Sequence, residues 1–291
     1  MAGPAGGRPG PPAGWRPKVV VCDVDGTVTF KDRRLDPLAL EALRAVEAAG
    51  IPVVLATGNV LPIAYALSYM IGTTGPIVAE NGGLLYHKGE VRELSSRDDV
   101  EAVARSVEQK MGLTRLFTDQ WRRTEVAFPE KEGTFEAVRI EVARHPQGAR
   151  VRVERTGFAV HLMDPSAEKF KGVLAALEIM GLAPADALAC GDADNDTEMV
   201  RRCGAGVALA DAPPGLRAVA TLVTRGVAGR GLKEAFARYG ATRVRGAARG
   251  ARGCSTGARR PRRRSGARTT RAAPARPPTR RGRAGRRAGR R

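Results

Sequence analysis

Only four of the 291 residues are cysteine (Cys22, Cys190, Cys203 and Cys254), and only three are histidine (His87, His145 and His161). No CxxC spacing occurs and the histidines form no ligand pattern with the cysteines, which excludes an ordinary zinc site. Cys22 and Cys190 lie in apolar runs, where a free thiol behaves as a small hydrophobe. A phosphate-binding GxxxxGK[ST] loop is absent as well. So is an unbroken apolar span. Residues 48–79 hold no charge at all, but Gly58, Asn59, Pro62, Gly72, Gly75 and Pro76 cut them into pieces too short to cross a bilayer. The opening MAGPAGGRPGPPAG has no apolar stretch of the kind a signal peptide needs, and residues 1–16 read as a disordered leader. Scarce cysteine and no secretory leader together predict a cytoplasmic, reducing location.

What is present is an ordinary supply of core-forming residues, 43% hydrophobic, in a chain long enough for one large domain or two smaller ones. The charge is unevenly placed. Of 49 Lys and Arg, 19 are arginines in residues 241–291, a segment without a single acid, so the remaining body is balanced against its 30 Asp and Glu. That segment is Arg, Ala, Gly, Pro, Thr and Ser apart from Val244 and Cys254, has nothing to bury, and is predicted to be a disordered Arg-rich tail. Nineteen arginines would bind phosphate backbones in a strongly salt-dependent way. Without an aromatic residue for base stacking, such nucleic-acid binding would be non-specific. The same composition is also what GC-rich codons produce after a frameshift or read-through.

The body alternates. Apolar strands are predicted at 18–22, 52–56 and 77–80, with a helix between Asp36, its cap, and Gly50, and another at 60–71. Near-continuous apolar strands separated by helices imply an α/β fold, a Rossmann-like parallel sheet covered on both faces. Residues 84–163 have a different texture. Alternating stretches TEVAF (124–128), VRVER (151–155) and FAVHL (158–162), with amphipathic helices near 98–111 and 133–144, predict an inserted α+β cap. The α/β rhythm resumes over 164–240 with helices at 168–180 and 231–239 and strands at 186–190 and 206–209.

Two aspartates end the first strand, in VVVCDVDGTV (19–28). DVDGT (23–27), ATGN (56–59), EKFKG (168–172) and GDADND (191–196) all fall where ligands bind on such sheets, at strand ends or on the adjoining helix. GDADND is not a calcium loop, because Thr197 and Cys203 stand where glycine and a bidentate glutamate are needed. GAGVAL (204–209) is not a dinucleotide fingerprint, since Leu209 replaces its third glycine. In their order, the four pieces resemble the haloacid dehalogenase (HAD) superfamily of aspartate-based phosphatases, over about residues 17–239. NVLPIAYALSYMIGTTGPIVAENGG (59–83) is similar to the archaeal phosphoglycolate phosphatases, which carry a C2-type cap.

A carboxylate can attack phosphorus and form an acyl phosphate, and Asp23 is the candidate nucleophile. Asp25, on the same side of an extended chain, is the candidate acid and base for the leaving group and then for water. Four aspartates around a phosphate dianion repel one another strongly enough to call for a hard divalent cation, and Mg²⁺ suits the site. The resemblance implies that the Asp23 carboxylate, the Asp25 carbonyl and Asp192 hold the metal, with Asp196 and Asn195 bound directly or through water. It also implies that Thr57 and Gly58 hold phosphoryl oxygens, and it favours Lys171, which precedes Gly172, over Lys169 as the substrate-binding lysine. Asn81 reads as a turn former as readily as a site residue. Arg122, Arg123 and Thr124 of the cap are placed to meet a substrate carboxylate, although an arginine pair beside a strand is more often solvated surface. The expected substrate is a small phosphate monoester, 2-phosphoglycolate first and a sugar phosphate as the alternative.

Overall fold

The computed structural model describes residues 7–156 and 159–243. Of the predicted tail only residues 241–243 fall within it; residues 244–291 and 1–6 lie outside the described residues.

The elements run β1 (Val19–Cys22), α1 (Pro37–Ala48), β2 (Val53–Ala56), α2 (Leu61–Ile71), β3 (Ile77–Ala79), β4 (Leu84–His87), β5 (Glu90–Glu93), α3 (Asp98–Met111), β6 (Glu125–Pro129), α4 (Thr134–Arg144), β7 (Arg152–Thr156) and β8 (Ala159–Met163). They continue as α5 (Lys169–Ile179), β9 (Ala187–Gly191), α6 (Thr197–Arg202), β10 (Ala205–Ala208), α7 (Pro214–Val219), β11 (Leu222–Val223) and α8 (Ala228–Tyr239).

Eight strands form one sheet in the order β11-β10-β9-β1-β2-β3-β4-β5, parallel except for β4 and β5. Both faces of its centre are buried, which is why β1, β2 and β9 are apolar throughout. Val20 and Cys22 pack with Leu43, Val46, Leu232 and Phe236 on one face. Val19 and Val21 pack with Phe170, Val173, Leu177 and Met199 on the other. The chain leaves β1 toward β2 and later fills the opposite side from β9, so the strand order reverses between β1 and β9. Crevices at such reversals bind ligands. Pairing Cys22 with both Leu55 and Cys190 brings Asp23, Thr57 and Asp192 to the same edge.

Helix caps set the returns. One Asp36 carboxylate oxygen accepts the Leu38 amide at 2.8 Å and the other accepts the Gly229 amide at 2.9 Å, so a single side chain tethers the starts of α1 and α8.

Between β5 and α5 a second, three-stranded antiparallel sheet (β6-β8-β7) packs on α3 and α4 around Val103, Val107, Phe128, Val138 and Leu162, the inserted α+β cap. The strand segments expected at 124–128, 151–155 and 158–162 build this sheet, apart from Phe158, which lies outside the described residues. Residues 84–93, expected to begin the cap, instead extend the large sheet as a hairpin on β3. Lys88 (φ 47°) and Gly89 (φ 90°) make its two-residue turn, and Leu84 and Leu85 are buried against the core.

The leader is also corrected from residue 7 onward. The Arg8 amide donates to the Ala220 carbonyl at 3.2 Å, Arg8 Nη2 donates to the Cys203 carbonyl at 2.7 Å, and Trp15 stands edge-on to Tyr239 with its Nε1 donating to Ala185. Cys22, Cys190 and Cys203 are free and buried, as small hydrophobes. Among the described residues no helix is long and apolar enough to cross a membrane.

Candidate active site

Asp23 follows the last residue of β1, and its amide donates to the Cys190 carbonyl at 3.0 Å, continuing the sheet ladder into the site. Asp192 follows β9, and Asp196 starts the turn into α6. Oxygens of Asp23, Asp192 and Asp196, all three buried, lie within 4.8 Å of one another. Gly26 is required beside them. Its φ is +92°, and a Cβ there would sit 2.2 Å from Asp192 Oδ2.

The partners divide the carboxylates by role. Asp196 is fully occupied: Oδ1 accepts from Lys169 Nζ at 2.7 Å, and Oδ2 accepts the Asp192 and Ala193 amides at 3.0 Å each. Asp192 accepts from the Thr27 hydroxyl at 2.8 Å and from the Lys31 ammonium. Asp23 Oδ1 accepts from Lys169 Nζ at 2.8 Å, whereas its Oδ2 is buried with no protein partner. An orphaned anionic oxygen facing two more carboxylates costs free energy unless something positive or electrophilic meets it. The all-oxygen, anionic donor set fits a hard divalent cation, with Asp23 and Asp192 as the carboxylates to hold it and Asp196 fixing the loop and the lysine.

Electrostatics agree. Burial, then the neighbouring Asp196 charge, pushes the Asp23 carboxyl well above the usual carboxylate range against the pull of Lys169. Burial and Asp196 raise Asp192 in the same way, opposed by Lys31. Burial pulls the Lys169 pKa down, but Asp196 and Asp23 outweigh it and hold the ammonium charged.

Asp25 stands apart from the triad. Its Oδ2 accepts from the Thr57 hydroxyl at 3.3 Å and from Asn59 Nδ2 at 3.4 Å, and the Asn59 amide in turn donates to Thr57 Oγ1 at 2.9 Å. A cavity of about 510 Å³ opens over this floor, lined by Asp23, Asp25, Gly58 and Asn195 from the core and by Thr156 and His161 from the cap. Asn195 Nδ2 donates to Asn81 Oδ1 at 3.1 Å, and Asn81 Nδ2 donates to Glu125 Oε2 at 3.1 Å, so Asn81 joins the loop of residues 192–196 to the cap.

Of the residues expected from the sequence, Asp23, Asp25, Thr57, Gly58, Asp192 and Asp196 converge here, and Lys171 does not. Lys171 is exposed on α5, and Lys169 occupies the place intended for it. The reason is helical phase: Lys169, Phe170, Gly172 and Val173 form the buried face of α5, and position 171 falls off it. Gly172 marks close packing, since a Cβ there would lie 2.5 Å from Val78 Cγ1 and 2.8 Å from Gly82 Cα. Sequence reasoning overlooked Thr27, Lys31 and Asn59, although Thr27 and Asn59 belong to the quoted motifs. It also favoured a solvated Arg122, which is buried; Arg123 is the exposed member of the pair, 2.5 Å from Glu93 Oε1.

Over residues 20–122 and 118–236 the sequence matches the haloacid dehalogenase-like hydrolases, and the chain belongs to that family. Divalent-metal use is general among its phosphatases, and the three-aspartate cluster is suited to it. The chain is 38% identical over 222 residues to the phosphoglycolate phosphatase of Methanothermobacter thermautotrophicus, covering 76% of this chain and 98% of that one. It is 37% identical over 229 residues to the phosphoglycolate phosphatase of Methanoculleus marisnigri, covering 76% and 96%. A crystal structure of a Thermoplasma acidophilum protein superposes with a TM-score of 0.72 at 26% identity, over 78% of this chain and 99% of that one.

Proposed function

We propose that this protein is a Mg²⁺-dependent phosphatase that hydrolyses 2-phosphoglycolate to glycolate and phosphate through a phosphoaspartate. The observation that carries this reading is the buried, unpartnered Asp23 Oδ2 at the floor of a cavity that also holds Asp25. The naming of two archaeal relatives as phosphoglycolate phosphatases supports the choice of ester.

Asp23 Oδ2 attacks phosphorus as the ester P–O bond breaks, and Lys169 on Oδ1 fixes the carboxylate for that approach. Asp25 gives its proton to the departing glycolate oxygen, then takes one from the water that cleaves the aspartyl phosphate, which restores both residues. Thr57 and Asn59 hold Asp25 in place. The Gly58 amide, and the Thr57 hydroxyl once its proton turns from Asp25, are the donors assigned to the phosphoryl oxygens, where charge spreads in the transition state. Asp23, Asp192 and the Asp25 carbonyl, with Asp196 behind them, would hold Mg²⁺, which would supply positive charge to offset the dianion. A reducing cytoplasm suits the three buried free thiols.

Purified protein with Mg²⁺ should release phosphate from 2-phosphoglycolate faster than from sugar phosphates, and Asp23→Asn should abolish release. Preference for a sugar phosphate would reject the substrate, and an active Asp23→Asn would reject the mechanism.

A further inference from the structure

Arg122 is a buried guanidinium with three of its five N–H donors unused. It follows the turn Phe117–Trp121 and its side chain is 0% exposed. Nη1 donates to the Gly58 carbonyl at 3.1 Å and to the Glu125 carboxylate. Nε and Nη2 are buried and have no partner in the protein. Leaving such donors unmet is costly, so a buried arginine with an open edge points to an absent acceptor.

Three acids close to it are already engaged elsewhere. Glu80 is taken by the Arg123 and Thr124 amides and the Thr124 hydroxyl, at 3.0, 2.8 and 2.8 Å. Asp119 is taken by Arg97, Arg115 and the Ala127 amide. Glu125 already serves Arg122 Nη1, His161 Nδ1 at 3.2 Å and Asn81 at 3.1 Å.

Position completes the case. Arg122 is anchored on the carbonyl of Gly58, a residue that lines the cavity and lies between Thr57 and Asn59, the two that grip Asp25. Through Glu125 it also adjoins His161, the cap residue that lines the same cavity. In a two-carbon phosphate ester the carboxylate carbon is two bonds from the oxygen that Asp25 protonates. A receptor for it therefore belongs beside residues 57–59. We infer that the Nε and Nη2 edge of Arg122 receives the carboxylate of a small phosphorylated hydroxy acid and so sets the specificity of the site. The fork of a guanidinium matches a carboxylate with two parallel hydrogen bonds, which a lysine cannot reproduce. This rests on the phosphatase reading above and adds the residue that recognises the leaving group.

The test compares 2-phosphoglycolate with 2-hydroxyethyl phosphate, which keeps the two-carbon skeleton and carries a neutral hydroxymethyl group in place of the carboxylate. Arg122→Gln should lower kcat/KM for 2-phosphoglycolate about 100-fold and for 2-hydroxyethyl phosphate less than about threefold, as expected for charge-assisted hydrogen bonds lost to one substrate only. Arg123→Gln should change neither. Parallel losses on both esters, or no loss on either, would overturn the inference. If Arg122→Gln fails to fold, judged by circular dichroism, Arg122→Lys decides by the same comparison, with a smaller selective loss expected. Wild-type enzyme active on both esters without preferring the carboxylate would also overturn it while leaving the phosphatase reading intact. Wild-type enzyme inactive on both would remove that reading itself.

Discussion

Lys169 Nζ lies 2.8 Å from Asp23 Oδ1, with both side chains almost wholly buried, and the same ammonium reaches Asp196. Removing it leaves two buried carboxylates without their compensating charge. Lys169→Ala should cost roughly 3–5 kcal/mol of folding stability, the usual penalty for breaking a buried pair. It should also lower phosphate release at least about 100-fold, since the attacking carboxylate loses its anchor. Lys171→Ala should leave both within about twofold, as expected of an exposed side chain remote from any such feature. Urea melts and steady-state kinetics on the two variants check this directly.

The crowding of Asp23, Asp192 and Asp196 makes the folded state pay for their mutual repulsion until a cation arrives. Mg²⁺ should therefore raise the melting temperature of the protein, and a chelator should reverse the rise, by mass action on the folded state. Asp192→Asn should reduce the Mg²⁺-induced shift while raising stability without the ion. Scanning calorimetry with and without Mg²⁺ reads both effects.

His161 gives the stability a defined pH dependence. Burial, then the neighbouring Arg122 charge, holds its pKa at about 3, so the folded protein keeps the imidazole neutral. The unfolded chain takes up a proton near the ordinary value of about 6.5. Between these values the unfolded state binds more protons, so this contribution is complete above about pH 6.5 and is lost as pH falls toward 3, by up to about 1.4 kcal/mol per pH unit. Denaturant midpoints measured from pH 7 to pH 4 should fall less steeply in His161→Gln.

Gly172 tests how tightly α5 presents Lys169. A methyl group there meets Val78 and Gly82 at under 3 Å, so Gly172→Ala should destabilise the protein by about 1–3 kcal/mol and lower activity with it. A variant as stable and active as wild type would mean that α5 is not held where described.

Much of this was legible in the sequence because strand ends announce themselves. Apolar runs of four residues terminating in Asp23, Thr57 and Asp192 can be read without knowing any contact, and so can the alternating strands of the cap. What was missed depends on packing. The Lys171–Gly172 pair alone points to Lys171, whereas the buried face of α5 is set by Gly172 against β3, which selects Lys169. Residues 84–93 lie between the third core strand and the cap in sequence, and only their pairing with β3 shows that they belong to the large sheet. Arg122 looked solvated because its partners, Gly58 and Glu125, include one 64 residues away. The proline-rich leader looked unstructured because local composition does not reveal that Arg8 and Trp15 find carbonyls on the core.

The central claim is that Asp23 is phosphorylated during turnover. Acid quenching of the Mg²⁺-loaded enzyme during a single turnover with phosphorus-labelled 2-phosphoglycolate, followed by peptide mass spectrometry, tests it most directly. The label should appear transiently on the peptide carrying Asp23 and be absent in Asp23→Asn; label released as phosphate without ever residing on that peptide, or found on another residue, would contradict it.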